Sequence, residues 1–289
     1  MTASNISVTI PHIAFAFQRS EMGAETGTNQ SVERAAAVLS TFLDGPSMRV
    51  SDVADQTGLG QSTTSRLLST LESMSFVERD RVSSLYRLGP ALITLGGAAL
   101  NQHPVHRAAR QPAQNLVAAL GLAANVATRH DDALFYLCSF EGPRAPKTYA
   151  LTGRHNPLHA TGLGKCLLVG LSPTDRRTLM PTLIPYTAHT VVTHEELDGT
   201  IDHVLTHGYA TETEELALGR ACVAAPIYDQ SGSVVAAISV SGPLSAINLT
   251  EHEVELARHV IEAADQISIG LGFDVSRSGR TAAVGGHYV

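Results

Sequence analysis

Residues 50–68 read VSDVADQTGLGQSTTSRLL, and the spacing within this stretch predicts two helices joined by a tight turn. Apolar residues recur at helical spacing on both sides of Gly58-Leu59-Gly60, which predicts one helix over 50–57 and another over 61–74. Gly58 is a suitable end for the first helix, because glycine adopts the left-handed conformation there without a steric penalty. Two helices with a three-residue turn have the geometry of a helix-turn-helix motif.

The flanking sequence extends this unit in both directions. Apolar residues at helical spacing from Val32 to Leu43 predict a preceding helix that stops before Gly45-Pro46. After the second helix, residues 76–79 and 85–88 read as short strands around a polar turn, which indicates a wing. An apolar helix over about 91–101 follows. We therefore assign a winged helix-turn-helix to residues 29–89 and a linker helix to residues 90–103.

The start of the second helix carries side chains suited to reading DNA. In a helix-turn-helix these residues lie on base edges in the major groove. Glutamine pairs with adenine, arginine with guanine, and hydroxyls with phosphates or bases. Taken alone, such polar residues are more often a solvated helix face, but the tight turn, the arginine and the hairpin together favour DNA. The predicted contacts are Gln61, Ser62, Thr63, Ser65 and Arg66 on the helix, with Arg79 and Arg81 on the wing.

The net charge of this unit indicates that it binds DNA as an oligomer. Residues 31–89 hold six arginines (34, 49, 66, 79, 81, 87) and seven acids (33, 44, 52, 55, 72, 78, 80), a net charge of -1. A monomer should bind DNA weakly, because counterion release supplies much of the affinity. We therefore expect a dimer on double-stranded operator DNA. The apolar linker helix is either the dimer surface or an ordinary interdomain connection, and the sequence leaves both open.

Composition restricts the remaining possibilities. The chain has 289 residues, 44% hydrophobic, with a formal charge of -7, so it can form a packed core and is not a general polyanion binder. Its purely apolar runs, such as 234–238, are far below the roughly 20 residues of a spanning helix, and we expect no membrane association. Three separated cysteines and the lack of a signal peptide favour the cytoplasm. Residues 1–28 and 273–289 read as flexible ends, and either Met1 or Met22 is a plausible start.

Residues 104–272 alternate helical and strand patterns, which predicts an α+β domain. The last two strand candidates flank residues 229–232, DQSG, a turn signal for an antiparallel pair. The five strand candidates are 124–130, 134–140, 209–213, 221–228 and 234–241.

Several motifs of the chain are similar to those of the IclR family of bacterial transcriptional regulators. At the N-terminal end these are SVERA at 31–35, TGL at 57–59 and YRLG at 86–89. Further along they are LHATGLGK at 158–165, CVAAP at 222–226 and AAISVSGP at 236–243.

The resemblance implies a C-terminal GAF/PAS-like effector-binding domain with a central antiparallel sheet. It also implies a homodimer or homotetramer and a small-molecule effector, expected to be a carboxylate. Glu212 stands where family members often have Asp. Arg220 departs from the family order and should share the strand face of Cys222, which suggests that it pairs with an effector carboxylate or with Glu212. The effector-binding residues expected are Gly162, Leu163, Glu212, Arg220, Cys222, Ser239 and Ser241.

Enzymatic alternatives have weaker support. Gly164-Lys165 fails the phosphate-loop pattern, because residue 159 is His and residue 166 is Cys. The alternative from another class is a metabolite-binding or cysteine-dependent hydrolytic protein with a vestigial DNA-binding module, in which Cys222 and His159 share a pocket. A cysteine inside an apolar strand is more often a small buried hydrophobe. We therefore expect no catalytic residues, no cofactor and no metal site.

Overall fold

The computed structural model describes residues 29–43, 45, 47–145 and 150–274. The chain divides into two compact units between Gln102 and His103. The predicted N-terminal extension, 1–28, lies outside the described residues, as does all of the predicted tail beyond residue 274. Phe273 is described: its amide donates to the Ser268 carbonyl, and its ring stacks on Tyr228 at 5.3 Å between centroids.

The N-terminal unit is a helix-turn-helix followed by a two-stranded wing and one further helix. Val38, Val53, Leu68 and Val77 are buried at its centre, which explains the helical spacing of the apolar residues. The elements are α1 Gln30–Ser40, α2 Val50–Thr57, α3 Gln61–Ser73, β1 Val77–Arg79, β2 Tyr86–Leu88 and α4 Pro90–Gln102.

Two details of this unit matter for the sequence prediction. Gly58 ends α2 in the left-handed conformation, with φ 67°, as its position required. The helix α1 ends at Ser40, three residues before the predicted Leu43, and the Thr41 hydroxyl donates to the Val38 carbonyl at 2.8 Å. This side-chain hydrogen bond satisfies one of the carbonyls that the end of the helix leaves open.

The C-terminal unit is built on one antiparallel sheet of six strands in the order β5-β4-β3-β8-β7-β6. Its helices lie before, between and after the strands along the chain. The elements are α5 Pro104–Leu120, β3 Ala123–His130, β4 Ala133–Phe140, β5 His155–Pro157, α6 Gly162–Leu167, α7 Pro173–Leu179, α8 His194–His207, β6 Ala210–Thr213, β7 Arg220–Tyr228, β8 Val234–Pro243, α9 Leu244–Ile247 and α10 Leu249–Gly270.

The two faces of the sheet are covered differently. On one face, Val126, Val223 and Ile238 pack with residues of α5 and α10 in a large apolar cluster. The other face packs against α6 and α8, and its residues alternate with the first set along each strand. Polar side chains are concentrated on this second face, where Asn125, Glu212 and Ser239 are buried.

The predicted fold class is confirmed: an N-terminal helix-turn-helix unit precedes an α+β domain with a central antiparallel sheet. Among the helices of the described ranges, none combines the length and apolar character that crossing a membrane requires.

Candidate functional site

The first turn of α3 presents a polar surface. Gln61, Ser62, Ser65 and Arg66 are exposed and Thr63 is half-buried. Gly60 precedes the helix and provides no side-chain cap, so the first amides remain available to an acceptor such as a phosphate. All five predicted contact residues of the helix therefore lie within its first two turns and are at least partly accessible.

Thr64, in the middle of this turn, points the other way. It is fully buried, and its hydroxyl donates to the Gly60 carbonyl at 3.2 Å. This bond satisfies a hydroxyl group that would otherwise be buried without a partner.

The wing holds its turn through Asp80. The carboxylate accepts the amides of Val82 at 3.0 Å and Ser83 at 2.7 Å, and these hydrogen bonds lower its pKa. Arg79 lies over the Tyr86 ring, 5.5 Å from its centroid. Arg81 follows at the exposed tip, and no ion pair joins it to another residue in the part of the chain that the structure describes.

A third wing arginine, Arg87, forms an ion pair within the wing. The Arg87 guanidinium donates twice to one carboxylate oxygen of Glu78, at 2.9 and 3.1 Å. Of the three wing arginines, Arg87 is paired with a carboxylate, Arg79 lies over an aromatic ring, and Arg81 projects from the tip with neither kind of partner among the described residues.

In the C-terminal unit, Cys222 and Glu212 are brought face to face. They are register partners in the β6–β7 pair, and the Cys222 thiol lies 3.6 Å from Glu212 Oε2. Glu212 Oε1 accepts the backbone amides of Glu215 at 2.6 Å and Leu216 at 3.4 Å. Both side chains are buried.

Burial dominates the electrostatics of this pair. It raises the pKa of Glu212 to about 7, and the nearby Glu215 carboxylate adds to the rise. Burial also raises the pKa of the Cys222 thiol well above its ordinary value, and the Glu212 charge acts in the same direction. The thiol is therefore held in its protonated form at neutral pH.

The N-terminal end of α6 packs against the same sulfur. Thr161 caps α6 by accepting the Gly164 amide at 3.0 Å. A Cβ atom on Gly162 would lie 2.8 Å from Cys222 Sγ, and one on Gly164 would overlap the Leu158 backbone. Glycine is therefore required at both positions by close approach rather than by backbone conformation. Leu163, by contrast, buries its side chain in the apolar cluster beneath α6.

The serines of β8 lie next to Cys222. Ser241 is the register partner of Cys222, and Ser239 is the partner of Ala224, one step further along the same face. Both serines lie on the same face of β8, because residues two apart on a strand point to the same side. Arg220 pairs in register with Pro243 at the end of β7 and is half-buried, with no ion pair to Glu212 or to any other described residue.

Sequence reasoning missed a chain of hydrogen bonds on this face. Ser139 donates to Asn125 Oδ1 at 3.0 Å, and Asn125 Nδ2 donates to Ser241 Oγ at 3.1 Å. Ser241 accepts from Asn125, so its own proton is directed elsewhere, as a donor. The signal available in the sequence was Asn125 itself, an isolated polar residue within an apolar strand.

Sequence reasoning also missed a buried ion pair beside Glu212. Lys165 Nζ lies 2.5 Å from Glu215 Oε1, and the side chains are only 2% and 11% exposed. Glu215 Oε2 is buried and has no hydrogen-bond partner among the described residues. The sequence drew attention to Lys165 in a family motif and in a failed phosphate-loop pattern, but nothing local links it to a residue 50 positions away.

His159 is not paired with Cys222. Its Nε2 lies 2.9 Å from the Ile184 carbonyl, and its ring lies near that of Tyr186, with centroids 5.9 Å apart. Burial lowers its pKa. Within the ranges that the structure covers, no three His, Cys, Asp or Glu side chains are grouped so that they could hold a metal ion.

Comparison with known proteins agrees with this geometry. The family described as the bacterial transcriptional regulator IclR C-terminal domain matches residues 97–269, and the IclR helix-turn-helix domain matches residues 31–81. The transcriptional repressor AllR of Escherichia coli (strain K12) is 34% identical over 248 residues, covering 84% of this chain and 90% of the relative. The transcriptional regulator BhcR of Paracoccus denitrificans is 28% identical over 254 residues, covering 86% and 90%.

Solved structures show the same fold. An IclR transcriptional regulator from Alicyclobacillus acidocaldarius superposes with a TM-score of 0.74 at 30% identity, covering 85% of this chain and all of the other. An IclR homologue from Microbacterium hydrocarbonoxydans, solved with 4-hydroxybenzoate, gives a TM-score of 0.73 at 23% identity, covering 83% and 98%.

These matches define a DNA-binding transcriptional regulator with a C-terminal effector-binding domain. The chain belongs to the IclR family, as the motifs of its sequence indicated.

Proposed function

We propose that this regulator binds its operator as a homodimer or homotetramer and that a small carboxylate in the C-terminal domain controls this binding. On the DNA side, the contacts are those predicted on α3 and the wing. The effector side uses the polar face of the sheet, and the residues that bind are Gly162, Leu163, Glu212, Arg220, Cys222, Ser239 and Ser241.

The observation that carries the effector proposal is the convergence of three elements on Cys222. The start of α6 brings Gly162 to the Cys222 side chain, β6 brings Glu212, and β8 brings Ser241. Small residues with hydrogen-bonding groups on a rigid sheet suit a compact polar ligand. Arg220, half-buried at the end of β7 without a carboxylate partner among the described residues, supplies a cation for an anionic group. The 4-hydroxybenzoate bound by the Microbacterium homologue is itself a carboxylate.

Dimerisation is assigned to α4. This helix contains no charged residue and buries none of its side chains within one chain, and Ile93 is 79% exposed. An apolar surface of this kind marks a site of association. A dimer also compensates for the weak DNA binding expected of a single unit with a net charge of -1, because the phosphate contacts of both units add to the affinity.

A hydrolytic role for Cys222 has little support. The thiolate is the nucleophile in such chemistry, whereas burial keeps this thiol protonated. The candidate base His159 directs Nε2 to the Ile184 carbonyl. The family relatives are transcriptional regulators. We therefore assign the protein no enzymatic activity and place it in the cytoplasm, where its DNA target lies.

The proposal is tested first on DNA. Genomic fragments selected with the purified protein supply an operator, and fluorescence anisotropy then measures the affinity of Thr63→Ala/Arg66→Ala. Loss of a bidentate base contact costs about 1–3 kcal/mol, so discrimination between operator and random DNA should fall by roughly ten- to a hundredfold. Unchanged operator affinity in a folded double variant would refute the DNA-reading assignment.

The effector side is tested separately. Thermal unfolding with benzoate, 4-hydroxybenzoate and lactate identifies a carboxylate that stabilises the protein. Arg220→Ala should weaken the binding of that acid, while the binding of its uncharged amide should change little. Equal loss for acid and amide would show that Arg220 does not recognise the charge.

A further inference from the structure

Around Glu212 the structure buries two carboxyl groups with a single lysine. Lys165 Nζ contacts Glu215 Oε1, and no cation of the described residues forms an ion pair with Glu212, although the nearby Lys165 charge lowers its pKa slightly against the effect of burial. The Cys222 thiol also faces Glu212, whereas Arg220 lies at the start of β7, two residues before Cys222, and forms no ion pair with Glu212. Both carboxyls ionised would therefore leave one uncompensated negative charge in a buried cluster.

The two oxygens of Glu212 have different environments. Oε1 accepts two backbone amides, which hold it as an acceptor whatever the protonation state. Among the residues that the structure describes, the hydrogen-bond partner of Oε2 is the thiol of Cys222, a weak donor, at 3.6 Å. A proton is therefore accommodated on Oε2 without breaking any strong hydrogen bond.

An anionic effector on this face would meet Glu212 directly. Two ionised carboxylates at contact distance disfavour each other strongly, so one of them takes up a proton. The neighbouring lysine cannot relieve this repulsion by swinging towards the ligand, because its release would leave the buried Glu215 unpaired.

We propose that Glu212 binds the effector carboxylate as a neutral carboxylic acid that donates from Oε2, so that effector binding takes up one proton from solvent. No covalent bond forms or breaks: the proton passes from solvent to Oε2 of Glu212, and the effector stays an anion. This inference rests on the proposed carboxylate effector and specifies how the site accepts it.

The electrostatics of the free protein agree with this role. Burial raises the pKa of Glu212 to about 7, so the group is poised to be protonated at neutral pH. Adding a negative ligand raises this pKa further. Affinity should therefore be highest below pH 7 and fall by at most about tenfold per pH unit above it, until the pH reaches the pKa of the complex.

Isothermal titration calorimetry on the full-length protein tests the inference without a variant. The probes are benzoate, 4-hydroxybenzoate and lactate, screened at pH 6, where binding should be tightest. For an acid that binds, titrations at pH 8 in phosphate and in Tris give the number of protons taken up, because the two buffers differ in ionisation enthalpy. We expect a value approaching one at pH 8 and close to zero at pH 6.

Two variants then assign the proton. With Glu212→Gln, the affinity for the acid should no longer depend on pH, and the proton uptake should vanish. Glu214→Gln is the matched control: Glu214 belongs to the same hairpin, and its Oε1 accepts the Gly219 amide outside the site. It should keep the proton uptake of the wild type.

The outcomes are separable. An acid that binds with no net proton uptake, or with uptake that persists in Glu212→Gln, overturns this inference and leaves the carboxylate effector standing. If none of the three acids binds at pH 6, or if only their uncharged amides bind, the inference and the proposed carboxylate effector fall together. The DNA-reading assignment is unaffected in each case.

Discussion

Glu212 and Cys222 meet across the β6–β7 pair, with Oε2 of the carboxylate 3.6 Å from the sulfur. The start of α6 packs against the same sulfur. A Cβ atom on Gly162 would lie only 2.8 Å from it, so there is no room for a side chain at this position. The Cys222 side chain thus limits how closely the start of α6 can approach the sheet.

The first prediction concerns Gly162. In Gly162→Ala, the new methyl would lie 2.8 Å from Cys222 Sγ, so the loop or the strand must move. Overpacking of this kind costs about 1–3 kcal/mol. We expect a lower free energy of unfolding in urea and the loss of stabilisation by any carboxylate that binds the wild type.

Two variants control for this change. Gly170→Ala introduces a methyl into open space in the same domain, with no described atom within 4 Å, and should be close to neutral. Gly162→Ala/Cys222→Ala removes the sulfur that the methyl meets, so the two single effects should not add. Strict additivity would mean that the sulfur is not the obstacle.

The second prediction concerns the ion pair of Lys165. Lys165→Met leaves the Glu215 carboxylate buried without its cation, and breaking a buried pair in this way costs about 3–5 kcal/mol. Urea unfolding at neutral pH measures the loss. Lys165→Met/Glu215→Leu removes both charges and should recover much of it.

An exposed pair provides the comparison. Arg258 and Glu262 on α10 are 48% and 51% exposed at 2.7 Å, and Arg258→Met should cost at most about 1 kcal/mol. If Lys165→Met and Arg258→Met lowered the free energy of unfolding equally, burial would not determine the strength of the Lys165–Glu215 pair.

The sequence predicted those features that depend on nearby residues. The turn at Gly58 and the polar opening of α3 follow from local geometry, and the longer strands follow from alternation. β5 was missed, because its three residues are too few to show a period of two. The helix α5 was also missed, since Pro112 lies inside it and interrupts the usual helical signal.

The same distinction separates the predicted from the missed residues of the site. Alternation alone put Arg220 and Cys222 on one face of β7. The roles of Asn125 and Lys165 depend on partners that lie 116 and 50 positions away along the chain. Sequence spacing carries no information on such pairs until the order of the strands is known.

The third prediction is a pH dependence of folding stability. The pKa of Glu212 is raised from 4.5 to about 7 in the folded state, so between these values the folded chain holds a proton that the unfolded chain has released. Stability from this group is therefore present below pH 4.5 and is lost as pH rises to 7, by at most about 3 kcal/mol. Glu212→Gln should lose this dependence.

The measurement is urea unfolding of both proteins from pH 5 to pH 8. The stability of Glu212→Gln relative to the wild type should increase with pH and level off above pH 7. A difference that stays constant across this range would mean that Glu212 is ionised in the folded protein at pH 5 already.

The fourth prediction concerns the proposed dimer surface. Ile93 on α4 is 79% exposed within one chain, so Ile93→Glu should leave the fold of the monomer intact while placing a charge in the interface. We expect sedimentation velocity to show a shift towards monomer. Val82→Glu on the wing is the matched control, because Val82 is 95% exposed outside α4 and should not change the oligomeric state. Unchanged assembly of Ile93→Glu would exclude this part of α4 from the interface.

The fifth prediction distinguishes two arginines of the wing. Arg81 projects from the exposed tip, whereas the Arg87 guanidinium is held by Glu78 at 2.9 Å. Each phosphate neutralised by a side chain contributes about -0.9 to the slope of log affinity against log salt. Arg81→Ala should therefore make the slope shallower by about one unit per DNA-binding unit and weaken the binding of operator and random DNA alike.

Arg87→Ala is the control and should leave the slope nearly unchanged, because the charge of this arginine is already neutralised by Glu78 within the wing. Anisotropy titrations across a range of salt concentrations measure both variants, and a larger effect from Arg87 than from Arg81 would mean that the wing meets DNA through its strands rather than through its tip.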